Sequence, residues 1–146
     1  IICSLILSGL MVGILHESFA EVSTNGLWDF SYEEGSTTEV VLLSFIRPTG
    51  WDGILTIPAT VQVGGVDKTV VSMNYGFASN LTTSLKELKF EAPELTIKRE
   101  AFMDCTLLTS ITFPDGGRYT FNENNTFNGC TSLESVDMSL LLRRFF

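Results

Sequence analysis

A thirteen-residue stretch in the second half of the chain occurs twice, 25 positions apart. Ala101-Phe102-Met103-Asp104-Cys105-Thr106-Leu107-Leu108-Thr109-Ser110-Ile111-Thr112-Phe113 aligns with Thr126-Phe127-Asn128-Gly129-Cys130-Thr131-Ser132-Leu133-Glu134-Ser135-Val136-Asp137-Met138. The offset holds from Phe102 to Phe127, Cys105 to Cys130, Leu108 to Leu133 and Ile111 to Val136. One step earlier, Phe77 lies 25 before Phe102, in Gly76-Phe77-Ala78-Ser79-Asn80. There Asn80 stands at the cysteine position, and two extra residues delay the next leucine to Leu85. Leu85-Lys86-Glu87-Leu88-Lys89-Phe90 then restates the pattern L-x-x-[L/I/V]-x-[F/M]. An internal period of this length is the signature of a repeat architecture.

In L-x-x-I-x-F the last two apolar residues are two apart, so a strand puts both on one face. The leucine three residues earlier turns in from the preceding corner. The short polar residues between repeats suit tight turns, and each phenylalanine plugs the interior at a corner. A single unit of this size cannot bury its apolar side, whereas stacked copies with rungs about 4.7–4.9 Å apart bury a continuous core. The expected fold is a repeat solenoid, mainly β with short helical or turn segments. A second apolar pair in each unit, Leu95 with Ile97 and Tyr119 with Phe121, predicts a second strand on another face. Lys98–Met103 reads as one helical turn, and Asn122–Asn125 as loop.

Upstream the period is absent. Strands are expected at Leu27–Tyr32, Glu39–Phe45, Ile54–Ile57, Thr60–Val63 and Thr69–Met73, with Gly64-Gly65-Val66-Asp67 closing a hairpin between the last two. Terminal units of repeat arrays are atypical because they cover an otherwise open core. Residues 21–50 are therefore expected to form an N-terminal β cap, residues 51–139 the solenoid, and residues 140–146 an irregular C-terminal tail. The array then ends at Leu133, Val136 and Met138, and its last rung offers an edge for self-association.

The first twenty residues differ in kind. Ile1–Leu15 is apolar with only Cys, Ser and Gly interrupting it, and Ser18-Phe19-Ala20 places small residues at the two positions a signal peptidase reads. That is the pattern of a secretory signal peptide over residues 1–20. A spanning helix needs about 20 apolar residues, and this run is shorter. The opening on Ile without a basic run reads as a chain whose start lies upstream.

The formal charge is -8, from 9 Lys plus Arg against 17 Asp plus Glu. Nucleic-acid binding and docking on an anionic membrane both need clustered cations, so both are disfavoured. Cleavage after Ala20 removes Glu17, His16 and Cys3, leaving 16 acidic and 9 basic residues, a charge of -7, and no histidine. Ser-His-Asp and Cys-His catalysis, and most zinc sites, need the residue that is missing.

The remaining candidates are weak as chemistry. Two readings stand for Cys105 and Cys130 at one position of adjacent rungs: a ladder of small buried hydrophobes, or a disulfide, which the rung spacing and an oxidising compartment permit. Glu33-Glu34 and Glu91 with Glu94 are glycosidase candidates by residue type alone and read better as a solvated face. Asp115-Gly116-Gly117 resembles a calcium turn without the surrounding oxygen ligands, and reads as a corner. Trp28, Trp51, Tyr32 and Tyr119 offer aromatic surface, with core packing the better expectation for both tryptophans. Asn80-Leu81-Thr82 and Asn124-Asn125-Thr126 are glycosylation sequons, which place possible modification at Asn80 and Asn124. No cofactor or metal site is expected.

The motif A-F-x-x-C-T-x-L-T-S-I-T-F-P at 101–114, with T-F-N-G-C-T-S-L-E-S-V at 126–136, resembles the BspA-type leucine-rich repeats of bacterial and protist surface proteins. Leu55–Val61 and Thr69–Met73 are similar to the opening strands of such arrays, so the resemblance covers roughly residues 51–139. The first unit departs in lacking its cysteine. Such arrays typically run on for more repeats, so the break after Ser139 reads as a truncation. The resemblance implies a secreted or cell-surface solenoid that binds proteins, glycans or other cells, on a host or a neighbouring cell, and has no catalytic residues. The alternatives are the accessory part of a secreted hydrolase whose catalytic domain lies elsewhere, or a fragment without function.

Overall fold

The computed structural model describes residues 20–122, 125–134 and 136. The expected signal peptide (apart from Ala20), the tail, and Asn124 lie outside them. Among the described residues ten strands form, all short: β1 Glu21–Val22, β2 Trp28–Tyr32, β3 Glu39–Phe45, β4 Ile54–Ile57, β5 Thr60–Val63, β6 Val66–Met73, β7 Glu87–Phe90, β8 Glu94–Ile97, β9 Ser110–Thr112 and β10 Arg118–Phe121. Alternation decides their faces: Leu55 and Ile57, Leu88 and Phe90, and Leu95 and Ile97 are buried, with more exposed residues between them.

The strands make two sheets. One runs β1-β2-β3-β6-β8-β10, with β5 also paired to β6, and the other runs β4-β7-β9. From β3 onward along the first path, and throughout the second, neighbours are parallel. β1 and β2 run antiparallel to their neighbours, and β3 joins the stack parallel to β6. Each later unit contributes one strand to each sheet and then returns through a corner, which is solenoid winding. Steps along the ladder are 24 residues from Glu94 to Arg118 and 23 from Glu87 to Ser110. The phenylalanines step by 25. The corners absorb the difference.

The structure differs from the sequence expectation at the start of β2, which is Trp28 and not Leu27, at the hairpin, and at Lys98–Met103. The hairpin turn is Gly64-Gly65 alone, with φ of 58° and 83°, and Val66 and Asp67 already belong to β6 opposite Val63 and Gln62. Two consecutive glycines at positive φ form the tight turn whose twist matches a hairpin, which is why the loop is shorter than expected. Lys98–Met103 is not helical, and the described residues contain no helix. Glu100 and Asp104 sit at φ of 58° and 60°. Left-handed residues cannot continue a right-handed helix, so the segment closes as turns.

One core fills the space between the sheets. It holds Phe30, Leu42, Met73, Phe77, Leu81, Leu85, Leu88, Ile97, Phe102 and Leu108 at 0 or 1% exposure. A file of rings runs along it: Trp28 on Phe77 (6.4 Å), Phe77 edge-on to Phe102 (5.9 Å), and Phe102 stacked on Phe127 (5.5 Å). A second file holds Phe90 stacked on Phe113 at 5.0 Å with Tyr119 edge-on to both. Trp28 is buried, whereas Trp51 is half-buried and donates Nε1–H to Ile54 O.

Candidate binding face and buried column

The column of repeat positions comes first. Phe77, Phe102, Leu85, Leu108 and Cys105 are buried, as is Cys130 at 9%. Phe127 and Leu133 are only half-buried, although the repeat pattern gives them the same role as Phe102 and Leu108. Corner backbones are tied rung to rung: Ala78 N to Ala101 O, Phe102 N to Thr126 O, and Asp104 N to Asn128 O. Hydroxyls add to this, with Thr106 Oγ1 donating to Thr82 O, Thr109 Oγ1 to Lys86 O, and Ser132 Oγ to Thr106 O.

The two cysteines are free thiols. Cys130 Sγ donates to Phe102 O at 3.1 Å. Hydrogen bonding to Cys130, then burial, push the Cys105 thiol far above its ordinary range, so it stays protonated. A buried neutral thiol is a poor nucleophile.

The other candidates fall on the surface. Glu34, Glu91 and Glu94 are exposed and Glu33 half-buried, and Glu94 is spent on an ion pair with Arg118 at 3.7 Å. Asp115-Gly116 forms a turn closed by Gly117 N on Pro114 O, with Gly116 at φ 70°. Among the described residues no three His, Cys, Asp or Glu side chains gather to hold a metal. Asn80 is exposed, and its Nδ2 donates to Phe45 O at 3.0 Å. Tyr32 lies under Lys68 Nζ, and the half-buried Tyr119 donates its hydroxyl to Ala92 O.

The feature that sequence reasoning missed is a row across the outer face of the larger sheet. In β8 and β10, Leu95, Ile97, Tyr119 and Phe121 pack on the core, so Thr96 and Thr120 point away from it. Thr120 pairs with Thr96, Thr96 with Ser72, Ser72 with Val41, and Val41 with Ser31. The result is a five-strand row, Ser31, Val41, Ser72, Thr96, Thr120, of small hydroxyl and β-branched side chains. Exposure grades along it: Ser31, Val41 and Ser72 lie at 5–8%, Thr96 is half-buried, and Thr120 is open. Val41 is buried without belonging to the core cluster, and Ser72 Oγ is buried with no hydrogen-bond partner. Two polar pairs flank the row, Ser44 Oγ on Asp29 at 2.6 Å and Glu94 with Arg118. Alternation marks which residues face outward, but only the pairing of strands far apart in sequence aligns them.

A second cluster was equally hidden. Tyr75 is exposed, with Arg99 stacked over its ring at 5.3 Å and Glu100 paired to Arg99 at 3.6 Å. Its hydrogen bond to Glu100, and that carboxylate's charge, hold the Tyr75 phenol above its ordinary range.

Parallel strands wound into two sheets, with a ring at each corner and a leucine at each entry, define a leucine-rich repeat fold. The model of the BspA type leucine rich repeat region matches residues 73–145 in six copies, half of the chain, and the chain belongs to that family. Among solved structures, a leucine rich cell surface protein from Faecalibacterium prausnitzii is 22% identical at a TM-score of 0.63, over 81% of this chain and 31% of that one. A leucine-rich repeat protein from Bacteroides ovatus is 20% identical at a TM-score of 0.58, over 75% of this chain and 27% of that one. The leucine rich repeat protein of T. pallidum is 17% identical at a TM-score of 0.56, over 81% of this chain and 50% of that one. The chain thus spans about a third or less of the first two. No curated protein matches it in sequence.

Proposed function

We propose that this chain is a secreted or cell-surface binding module that recognises proteins or glycans on a host or neighbouring cell, without catalysis. The row Ser31–Val41–Ser72–Thr96–Thr120 carries this reading. Its open end, the half-buried Thr96 and the exposed Thr120, offers hydroxyl donors and acceptors on a rigid ladder. The apolar run at Ile1–Leu15, followed by Ser18 and Ala20, supports export, and the cell-surface neighbour accords with it. Residues 21–50, with their antiparallel strands, fit the closing of one end of the stack.

Thr96→Arg and Thr120→Arg place a long cation on the row, and Thr112→Arg places one on the other sheet as a control. Binding to a panel of immobilised glycans and to intact cells is then measured with all three. A loss of tenfold or more is expected for the first two variants alone. Equal binding by all three, with unchanged circular dichroism, would remove the row from function.

A further inference from the structure

The binding reading leaves the two buried thiols without a use. Cys105 is fully buried and Cys130 9% exposed, at one position of two successive rungs. The backbones carrying them are clamped on both sides. Before the cysteines, Asp104 N donates to Asn128 O at 2.7 Å, and after them Ser132 Oγ donates to Thr106 O at 2.6 Å. Chains tied this way run about one rung apart, roughly 4.7–4.9 Å, inside the Cα separation of about 4.4–6.8 Å that a disulfide spans. The Cys130 side chain also reaches back toward the rung that carries Cys105, its Sγ donating to Phe102 O at 3.1 Å, and both thiols lie in the same core.

We propose that Cys105 and Cys130 form a redox pair, which a low-molecular-weight disulfide such as oxidised glutathione closes into a cross-rung bridge. Cys130 is the more exposed thiol and reacts first. It loses its proton to solvent, and hydrogen bonding from Cys105 lowers the Cys130 thiol toward the thiolate. The Cys130 thiolate attacks one sulfur of the oxidant. One S–S bond breaks, a protein–glutathione bond forms, and the first glutathione leaves as a thiolate. In the mixed disulfide Cys130 is no longer a thiol, so the hydrogen bonding that most held the proton on Cys105 is gone. The departed glutathione thiolate takes that proton, Cys105 attacks the adjacent Cys130 Sγ, and the second glutathione leaves. Two protein thiols are oxidised, one glutathione disulfide is reduced to two thiols, and the departing thiolates take up both protons. The bridge closes a loop of 25 positions and restrains the unfolded chain.

The test uses the whole chain with Cys3→Ser, so that only this pair can react. The native protein is incubated with oxidised glutathione, alkylated, and digested with trypsin without reduction. The expected product is Glu100–Arg118 joined to Tyr119–Arg143, with neither cysteine alkylated. A melting midpoint raised by roughly 5 °C or more should accompany it and return on reduction. Complete alkylation of both thiols after native incubation would overturn the proposal, as would a stable glutathione adduct on Cys130 beside an intact Cys105. In Cys105→Ala the glutathione adduct on Cys130 is expected to accumulate. Its absence would refute Cys130 as the attacking thiol.

Discussion

Replacing Phe102 by alanine tests the whole packing scheme at one ring. Its side chain is fully buried, and three other rings lie around it: Phe77 at 5.9 Å, Phe90 at 6.2 Å and Phe127 at 5.5 Å. Its contact with Phe90 joins the two files of aromatics. Truncating a buried phenylalanine costs about 3–5 kcal/mol, from lost transfer energy and the cavity left behind. Here the cavity has rigid walls, since flat rings and hydrogen-bonded rungs do not collapse readily, which places the expected loss in the upper half of that range. Phe127 has the same place in the repeat but is half-buried. Its truncation removes roughly half as much apolar area from cover and is expected to cost about 1.5–2.5 kcal/mol. Urea unfolding followed by circular dichroism measures both, read from midpoint shifts at constant slope. Equal losses would refute the burial difference, and a loss below about 1 kcal/mol for Phe102 would refute the ring file itself.

Gly129 sits at φ 78°, and a Cβ there would collide with the Asp104 carboxylate; Gly129→Ala should destabilise by about 1–3 kcal/mol in the same urea assay, partly recovered by adding Asp104→Ala. Glu100 holds a left-handed backbone without being glycine, so Glu100→Gly should raise the urea midpoint, a gain of up to about 1 kcal/mol in stability, and any fall would show that its contacts with Tyr75 and Arg99 outweigh the strain. Burial pushes the Tyr119 phenol up to about 12 from 10.0. Between those values the folded chain holds a proton that the unfolded chain has lost, so stability should fall as pH rises from about 10 to 12; Tyr119→Phe should abolish that slope in alkaline unfolding curves, and an unchanged slope would assign it elsewhere.

Much of this architecture is legible in residue order, and what escapes does so for identifiable reasons. β3, β4 and β5 fall at the expected positions because alternation and flanking turn residues mark both ends. The second strand of each unit announces itself through Leu95 with Ile97 and Tyr119 with Phe121. The end of the helical expectation at Lys98–Met103 is hidden, because nothing about Glu100 or Asp104 as residue types demands a left-handed backbone. The true ladder steps are hidden too: aligning phenylalanines counts corners, whereas hydrogen bonds count strands, and corner loops differ by a residue or two. The five-strand row is the least legible feature. Ser31 and Thr120 are 89 positions apart, and only the pairing of β2 antiparallel to β3, then of β3, β6, β8 and β10 in parallel, sets them in line.

The rung-to-rung ties at the corners have a mechanical consequence. Strand ladders, backbone bonds such as Ala78 to Ala101, and hydroxyls such as Thr106 to Thr82 all join one rung to the next. Tension applied along the stack therefore loads these bonds one interface at a time, and the weakest interface opens first while its neighbours hold. Each opening pays out a turn of about 25 residues, roughly 80–90 Å of extended chain. A tether at a cell boundary built this way would yield in steps under shear, lengthening severalfold before it parted, and would rewind when the load came off.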